Sequence, residues 1–448
     1  MIKMELKGNE GYSRIKQILK IAFPLMIQGI VFQLQSLTDK AFLGNIDTKY
    51  VSAIGAAQIP LNATLDSLVA ICTGLAIIIA RLYGAGDEKK IKKYTKCTIF
   101  YNSIFGIAIF IAWQFGAHDI LSFFQVDKSI IDYSVQYIKI SSFYLLLLGI
   151  DSSLQAMLQG MGKTKPIMYA GILKVGLNIL LSWILIFGHL GFPAMYVTGA
   201  ALGMLIANIV SALMVVIYCF VIKKTYFNLH KDNMLWFQGK PYKDVFSLGI
   251  PTGLEYLLWN VSNLMLIRLI NGFSYREMAI YTLTFGLQCI IFALFSGSGR
   301  AALTSIGQSL GAGNRKMANS FFYSSMLLNF IIVVFAGVIF FIFPEKILGI
   351  FSKDTALITR TVPYLCFTAV IMLSQSMNVI CGNAIRANND TKWMLISQIL
   401  GSIIVISVSW FLVKVMHLGM IAIYITLFLD ETIRGLVNYL YYIKRYRG

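Results

Sequence analysis

Twelve apolar segments, each at least 20 residues long, follow one another along the chain, and no other sequence feature restricts the fold so strongly. A helix of about 20 apolar residues crosses a hydrocarbon core of about 30 Å, whereas the strands of a membrane barrel alternate over segments of about 10 residues. We therefore predict an all-α polytopic membrane protein. The twelve predicted transmembrane helices lie near residues 20–43, 51–82, 97–116, 136–160, 167–188, 195–222, 246–270, 279–310, 318–343, 362–387, 393–414 and 418–442.

Charged residues are scarce, and their placement indicates an orientation. They make up 13% of the 448 residues, against 57% hydrophobic ones, whereas a soluble domain carries about 25% charged residues. The formal net charge of +18 would suggest nucleic acid in a soluble chain. Here 25 Lys and Arg lie at the termini and in the connections after even-numbered spans, and ten lie in the odd-numbered connections and their flanks. The positive-inside rule then predicts cytoplasmic termini in the plasma membrane and no nucleic-acid partner.

Matching landmarks recur at one spacing in the two halves of the chain. Each pair is 227 residues apart, as in 251 − 24 = 227: the pairs are Pro24 with Pro251, Gly84 with Gly311, and Thr164 with Thr391. Ordered matches at a constant spacing indicate an internal repeat, and an even number of spans per repeat gives both repeats the same orientation. We predict an amino-terminal six-helix lobe at 1–222, a cytoplasmic linker at 223–244 and a carboxy-terminal six-helix lobe at 245–448. Parallel repeats of this kind are common in transporters that rock one bundle against the other. The glycine segments that begin at Gly84 and Gly311 are predicted to form turns that cap helices.

Several short segments, in order along nearly the whole chain, resemble the multidrug and toxic compound extrusion (MATE) family. They are Thr38-Asp39 at the end of the Pro24 span, Tyr83-Gly84-Ala85-Gly86-Asp87, Gly160-Met161-Gly162-Lys163-Thr164, Leu177-Asn178-Ile179 and Gly199-Ala200-Ala201-Leu202. The resemblance implies two six-helix lobes related by a parallel pseudo-two-fold repeat. It also implies the export of organic, often cationic compounds in exchange for H⁺ or Na⁺.

Asp39 is the strongest candidate for coupling transport to an ion gradient. A charged side chain at the centre of a membrane helix costs about 2.5–3.5 kcal/mol or more, so each one is a functional candidate. Helical periodicity places Gln28, Phe32, Gln35 and Asp39 on one stripe of the first span. We expect this stripe to face the substrate cavity, where a carboxylate withdrawn from water could bind a proton near neutral pH.

The resemblance also implies partners for Asp39. Related sequences place an Asn and an Asp one turn apart on span 5 and a Thr on span 6. Asn178 matches the Asn, Thr198 matches the Thr, and Ser182 stands where the second carboxylate is expected. A Na⁺ site at Asp39, Asn178 and Thr198 is one interpretation. With one carboxylate fewer, however, a dehydrated Na⁺ would be less well neutralised, and this favours H⁺.

Other charged residues inside the spans are expected to line the substrate cavity or to pair with one another. Asp66, Glu255 and Arg300 are candidates for the cavity. Glu255 is alternatively a structural partner of Arg300 or of an amide, and the sequence leaves Asp151 and Arg300 open between functional and structural roles. Asp430 and Arg434, four residues apart on span 12, are predicted to form a local pair.

A secondary antiporter is the function that the sequence favours. We expect a monomer in the lipid bilayer, a lipophilic or cationic organic compound as the small-molecule substrate, H⁺ or Na⁺ as the coupling ion, and no cofactor. A flippase for a lipid-linked or amphiphilic substrate is the alternative. An enzyme is not expected, because the four His lie outside the cores of the predicted spans and do not combine with Ser or Asp into a catalytic constellation.

Overall fold

The computed structural model describes residues 10–44, 46–124, 126–222 and 238–447, and regular structure within these ranges is helical. Its α-helices are α1 (Glu10–Gly44), α2 (Thr48–Gly84), α3 (Glu88–Phe123), α4 (Ile131–Ser141), α5 (Leu145–Gly160), α6 (Lys165–Phe187), α7 (Tyr196–Ile217), α8 (Gly239–Ile270), α9 (Tyr275–Gly311), α10 (Arg315–Ile342), α11 (Pro344–Phe351), α12 (Thr355–Ala387), α13 (Thr391–Lys414) and α14 (Ile421–Tyr446). A 3₁₀ turn at Ser142–Tyr144 joins α4 to α5, and a π-helical turn at Tyr218–Ile222 follows α7.

The order of these helices confirms the prediction of an all-α protein with twelve spans. In chain order the spans are α1, α2, α3, α4 with α5, α6, α7, α8, α9, α10, α12, α13 and α14, and the eight-residue α11 lies between the ninth and the tenth. Ten of them are both long and apolar enough to cross a membrane within the described part of the chain. The other two, α8 and α14, have 32 and 26 residues and carry charged side chains that lower their hydropathy.

Several helices extend beyond the apolar segments that predict them. α3 has 36 residues, which corresponds to about 54 Å at 1.5 Å per residue, whereas its predicted span covers 97–116. Its first turns carry five lysines of the preceding basic connection. Hydropathy detects only the part of a helix that suits lipid, so charged turns that protrude into water are missed. α8 likewise begins at Gly239, inside the predicted linker 223–244.

The turns that follow α2 and α9 have the same structure in both repeats. Asp87 caps the first turn of α3 and accepts a hydrogen bond from the backbone N–H three residues later, at 3.0 Å. Asn314 caps α10 in the same way, at 2.9 Å, and 314 − 87 = 227. The preceding Gly86 and Gly313 have φ angles of +72° and +73°, which residues with a Cβ atom rarely adopt. The two glycine segments are therefore turns that cap helices, as predicted.

Contacts group the described residues into two units. Unit 1 comprises the described residues within Met1–Gly29, Gly84–Gly86 and Pro251–Gly448, and unit 2 comprises those within Ile30–Tyr83 and Asp87–Ile250. The first part of α1 is thus grouped with the second repeat, and the first part of α8 with the first repeat. The predicted division into lobes at 1–222 and 245–448 remains a prediction.

Lipid tails are as apolar as leucine and therefore supply no hydrophobic driving force between helices. Each unit must instead be held together by close packing of its helices. Small residues allow this packing. In unit 2, a Cβ atom on Gly74 of α2 would lie 2.3 Å from the Val245 carbonyl oxygen of α8. In unit 1, a Cβ atom on Gly297 of α9 would lie 2.8 Å from the backbone nitrogen of Met26. The first parts of α1 and α8 are therefore in backbone contact with the helices against which they pack.

Asp390 lies in the connection between α12 and α13 and joins it to the end of α14. Its carboxylate accepts hydrogen bonds from the hydroxyls of Tyr441 at 2.7 Å and Tyr446 at 2.8 Å, and from the backbone N–H of Trp393 at 3.3 Å. The Trp393 and Tyr441 rings are stacked with 3.7 Å between their centroids. Although partial burial acts in the opposite direction, these hydrogen bonds hold the pKa of Asp390 below its usual value.

This network predicts a pH-dependent stability difference between the protein and its Asp390→Asn variant. Because the carboxyl pKa is lower in the folded than in the unfolded chain, its ionisation stabilises the fold above the ordinary aspartate pKa of about 3.9, and this stabilisation is lost as the pH falls through the folded value. We expect the variant to have a lower Tm than wild type at neutral pH, with the difference vanishing in acid. Tyr441→Phe should show a weaker form of the same dependence. A difference in Tm that is constant over this pH range would contradict the assignment.

Candidate functional site

Two of the predicted ion-coupling residues lie together on α6, and a third lies elsewhere. Asn178 and Ser182 are buried, and the Asn178 amide nitrogen donates to the Ser182 hydroxyl oxygen at 3.4 Å. Thr198, at the start of α7, instead donates its hydroxyl to the Gln136 amide oxygen at 3.4 Å. α6 therefore places a polar pair inside unit 2.

The register of α6 and α7 explains why Thr198 is separate from this pair. Gly199 lies against the backbone of Leu185, and Gly203, one turn later, lies against Ser182, so the two helices run antiparallel. Along the helix axis, Thr198 then lies about two turns, or about 11 Å, from Asn178. The structure does not bring the three residues into one ligand shell.

The stripe on α1 is described only in part. The backbone of Asp39 belongs to α1, but its side chain lies outside the residues that the structure describes. Gln28 is half-buried, Phe32 is 57% exposed and Gln35 is 5% exposed. The Lys174 ammonium lies 5.9 Å from the centroid of the Phe32 ring. The described members of the stripe do not share one environment, and Phe32 is the member on the protein surface.

Asp66 lies in the middle of α2, within an exposed strip that also contains Asn62, Ala63 and Ser67. The Ser67 hydroxyl donates to the Ala63 carbonyl oxygen at 2.7 Å. Asn62 and Asp66 lie one helical turn apart on the same strip. A carboxylate and an amide would be costly against acyl chains, and ionisable residues in spans usually face a water-filled cavity. The placement supports the proposal that Asp66 lines such a cavity.

Glu255 of α8 pairs with Arg386 of α12 in unit 1. The Arg386 Nη2 and Glu255 Oε1 atoms are 2.5 Å apart, and the side chains are 13% and 14% exposed. The alternative of a Glu255 pair with Arg300 is therefore wrong. Arg300 Nη2 instead donates to the Leu25 carbonyl oxygen at 3.4 Å. Because 131 residues separate Glu255 from Arg386, only the tertiary fold could reveal this partner.

The prediction of a local pair between Asp430 and Arg434 on α14 is confirmed. Arg434 donates from Nε and Nη2 to the two Asp430 carboxylate oxygens, at 2.7 and 2.6 Å. Its Nη1 donates to the Gln398 amide oxygen of α13 at 2.8 Å. Its Nη2 also lies 3.4 Å from Glu431 Oε1. All three charged side chains are buried, so one guanidinium faces two carboxylates inside unit 1.

Amide side chains extend this ionic group across neighbouring helices. Glu431 accepts hydrogen bonds from Gln375 at 3.2 Å and Asn378 at 2.9 Å, both on α12. Gln288 of α9 donates to Gln375 at 3.0 Å, and Asn438 of α14 donates to Asn378 at 2.9 Å. Each amide that contacts Glu431 is thus held by a second amide, and the network joins α9, α12 and α14.

A cavity of about 40 Å³ borders this network. A water molecule requires about 10–15 Å³ of such space, so the cavity has room for about three waters. It is lined by three aromatic side chains, by aliphatic side chains and by part of the polar network just described. The lining residues include Trp259, Ser262 and Asn263 of α8, Tyr281, Phe285 and Gln288 of α9, Gln375 of α12, Gln398 of α13, and Asp430 and Glu431 of α14.

No motif in the sequence identifies Glu431 as a functional residue. Alignment of the two repeats does, however, show that its charged cluster has no counterpart in the first repeat. His189 and His417 are 228 residues apart, since 417 − 189 = 228. At this spacing the charged cluster corresponds to apolar or small residues of the first repeat: the pairs are Leu202 with Asp430, Gly203 with Glu431 and Ile206 with Arg434. The fold common to both repeats therefore does not require the cluster.

Comparison with known proteins gives the same division into repeats. The model of the MatE family matches the chain twice, at residues 24–184 and 251–411. Both ends of the two matches are offset by 227 residues, since 251 − 24 = 227 and 411 − 184 = 227. The internal repeat is thereby confirmed.

Relatives and solved structures cover nearly the whole chain. A probable multidrug resistance protein NorM of Thermotoga maritima is 25% identical over 436 residues, which are 96% of this chain and 92% of that protein. An uncharacterized transporter YisQ of Bacillus subtilis is 23% identical, over 94% of this chain and 92% of that protein.

The fold is similar to that of an outward-facing multidrug resistance MATE family transporter of the MOP superfamily, with a TM-score of 0.89 and 19% identity over 98% of this chain and 99% of that one. A MOP superfamily transporter from Pyrococcus furiosus gives a TM-score of 0.87 at 19% identity, again over 98% and 99%. With the family model covering well over half of its residues, the chain belongs to the MatE family and is a multi-pass membrane transporter.

Proposed function

We propose that the protein is a secondary antiporter that exports lipophilic or cationic organic compounds in exchange for H⁺ or Na⁺ by rocker-switch alternating access. It acts as a monomer in the plasma membrane, with both termini cytoplasmic and without a cofactor. The observation that carries this proposal is a group of ionisable side chains inside the helices of unit 1. They are Glu255, Arg300, Arg386, Asp430, Glu431 and Arg434.

The energetic cost of placing charged side chains inside a membrane supports a role for these groups in transport. Ionisable side chains inside a membrane protein are rare and mark ion or substrate pathways. Carboxylates can exchange protons with water, and their change of charge can bias a two-state equilibrium when the two states bind the proton with different affinity. Asp39 with the Asn178 and Ser182 pair is proposed as the coupling site of the first repeat. Ser182 in place of a second carboxylate favours H⁺ over Na⁺ there.

Exposed aromatic and acidic side chains support an organic cation as the substrate. Trp259 and Tyr256 of α8 are 40% and 55% exposed within unit 1, and Asp66 belongs to the exposed strip of unit 2. Aromatic faces attract organic cations, with energies of about 0.5–2 kcal/mol per contact. A carboxylate adds charge complementarity. In unit 2, Phe32 and Gln35 are proposed as substrate contacts together with Asp66, and in unit 1 Gln28 and Arg300 are proposed together with Tyr256 and Trp259.

Transport by the purified protein in liposomes tests this function. Ethidium movement should be followed while a pH gradient and a Na⁺ gradient are imposed separately and then together. We expect ethidium to be driven against its own gradient by the pH gradient and only weakly by Na⁺. Transport driven by Na⁺ alone would reverse the ion assignment. Movement of a lipid-linked sugar, with no gradient-driven ethidium transport, would replace the antiporter by a flippase.

A further inference from the structure

Glu431 is held differently from Asp430 and Glu255, the other two carboxylates of the ionic group in unit 1. Asp430 receives two short hydrogen bonds from Arg434, at 2.7 and 2.6 Å, and Glu255 is paired with Arg386. Glu431 has only the 3.4 Å contact with the shared guanidinium and is otherwise held by neutral amides. Of these three carboxylates, Glu431 is therefore the one whose negative charge is compensated least.

Glu431 also has access to space for water, because it borders the cavity of about 40 Å³. The cavity has room for about three waters, which is enough to pass a proton to the carboxylate. A metal cation is disfavoured, because the Arg434 guanidinium already lies beside the Glu431 carboxylate. The occupant that fits best is a proton delivered by water.

From this geometry we propose that Glu431 is a second proton-exchanging group, located in the second repeat and separate from the first-helix site. The inference deepens the proposed antiporter and rests on it for its role in transport. In the exchange, a hydronium ion in the cavity gives its proton to the Glu431 carboxylate and becomes water. On release, the carboxylic acid returns the proton to a cavity water.

Several charged or titratable groups face Glu431 from the surrounding helices. Asp430 and Arg434 lie on its own helix, Tyr281 of α9 lines the same cavity, and the Glu255–Arg386 pair joins α8 and α12. α13 contributes the neutral Gln398 and the apolar Val405 to the same cavity. When Glu431 is protonated, Arg434 remains paired with Asp430.

Protonation would change the hydrogen bonds between helices. The ionised carboxylate only accepts hydrogen bonds, whereas the acid also donates one. Gln375 and Asn378 both donate to Glu431 now, so the acid proton needs a new acceptor, which is either a cavity water or one of these amides after it turns. Gln288 and Asn438 hold these amides, and a turned amide would carry the change to α9 and along α14. This gives proton binding a means to alter the packing of unit 1.

The first repeat shows that the fold does not need this carboxylate. Gly203 occupies the position that corresponds to Glu431 at the 228-residue spacing, and it packs against Ser182. A buried ionic cluster that only one repeat contains cannot be explained by the architecture that both repeats share.

The proposal is tested with Glu431→Gln, which keeps the size of the side chain and leaves Asp430 paired with Arg434. In the full-length protein reconstituted in lipid, infrared difference spectra between alkaline and mildly acidic buffer should show a band from a buried carboxylic acid. We expect the variant to lose part of this band and Glu431→Asp to restore a shifted one. Glu345→Gln, which removes an exposed carboxylate, is the matched control and should keep the buried-acid band.

Export in the same liposomes provides the second readout. The pH dependence of ethidium export should become shallower in Glu431→Gln, because fewer protons are exchanged per substrate. A variant with the wild-type band and the wild-type pH dependence would overturn the proposal while leaving the antiporter intact. Conversely, a band that depends on Glu431 in a protein that exports nothing under a pH gradient would support the protonation site and reject the antiporter.

Discussion

The Arg434→Met variant should be severely destabilised. Arg434 neutralises Asp430 and contacts Glu431, with side-chain exposures of 8%, 6% and 9%. Methionine has a comparable length but leaves two carboxylates buried next to each other without a cation. Removing one partner of a buried ion pair costs about 3–5 kcal/mol, which is a large fraction of the total stability of a typical domain, about 5–15 kcal/mol.

Thermal stability of the detergent-purified protein, followed by size-exclusion chromatography, measures this effect. We expect little monodisperse Arg434→Met protein at temperatures that wild type tolerates. The triple variant Arg434→Met, Asp430→Asn, Glu431→Gln should recover most of the loss, because it removes both uncompensated charges. As a control, Arg360→Met disrupts a pair in which the arginine is 53% exposed, and exposed pairs contribute about 1 kcal/mol or less. A single Arg434 variant as stable as the Arg360 variant would show that the guanidinium does not balance the cluster.

The Asp39→Asn variant should reduce gradient-driven export to the rate of liposomes without protein. An asparagine amide does not exchange a proton at any accessible pH, so the proposed first-helix site could no longer link substrate movement to the ion gradient. Passive, downhill movement of substrate should persist if the fold is intact. Export against a concentration gradient therefore distinguishes lost coupling from lost folding.

Asp47→Asn is the matched control for this experiment. Asp47 is exposed in the connection between α1 and α2, where its carboxylate accepts a hydrogen bond from the Lys49 backbone N–H at 2.8 Å. The substitution removes the same charge close to the same helix, and we expect export to be unaffected. Equal uphill export by wild type and Asp39→Asn would remove Asp39 from the coupling mechanism.

Local and periodic features of the chain could be predicted from the sequence. The spans follow from runs of apolar residues, and the cap formed by Asp87 follows from a glycine turn that precedes a polar residue. The pair of Asp430 and Arg434 follows from their spacing of four residues on one helix. In each case the interacting groups lie within a few turns of chain, so the tertiary fold does not need to be known.

Contacts between distant helices could not be predicted. The Glu255 carboxylate meets Arg386 rather than Arg300 because of the register of α8 against α12. Glu431 receives its amides from residues 53 and 56 positions away in the chain. The separation of Thr198 from Asn178 likewise depends on the antiparallel register of α6 and α7. If one helix of such a pair were shifted by one turn, different side chains would come into contact, although the hydropathy pattern of the sequence would be unchanged.

The balance of charge inside unit 1 has an electrical consequence. Glu255, Asp430 and Glu431 offset Arg300, Arg386 and Arg434, so the fully ionised group is neutral. Adding one proton to Glu431 gives it a positive charge, and moving one elementary charge across a membrane is worth about 2.3 kcal/mol per 100 mV. In the proposed cycle the proton-loaded cluster would therefore carry one positive charge, and an inside-negative voltage would favour its inward movement.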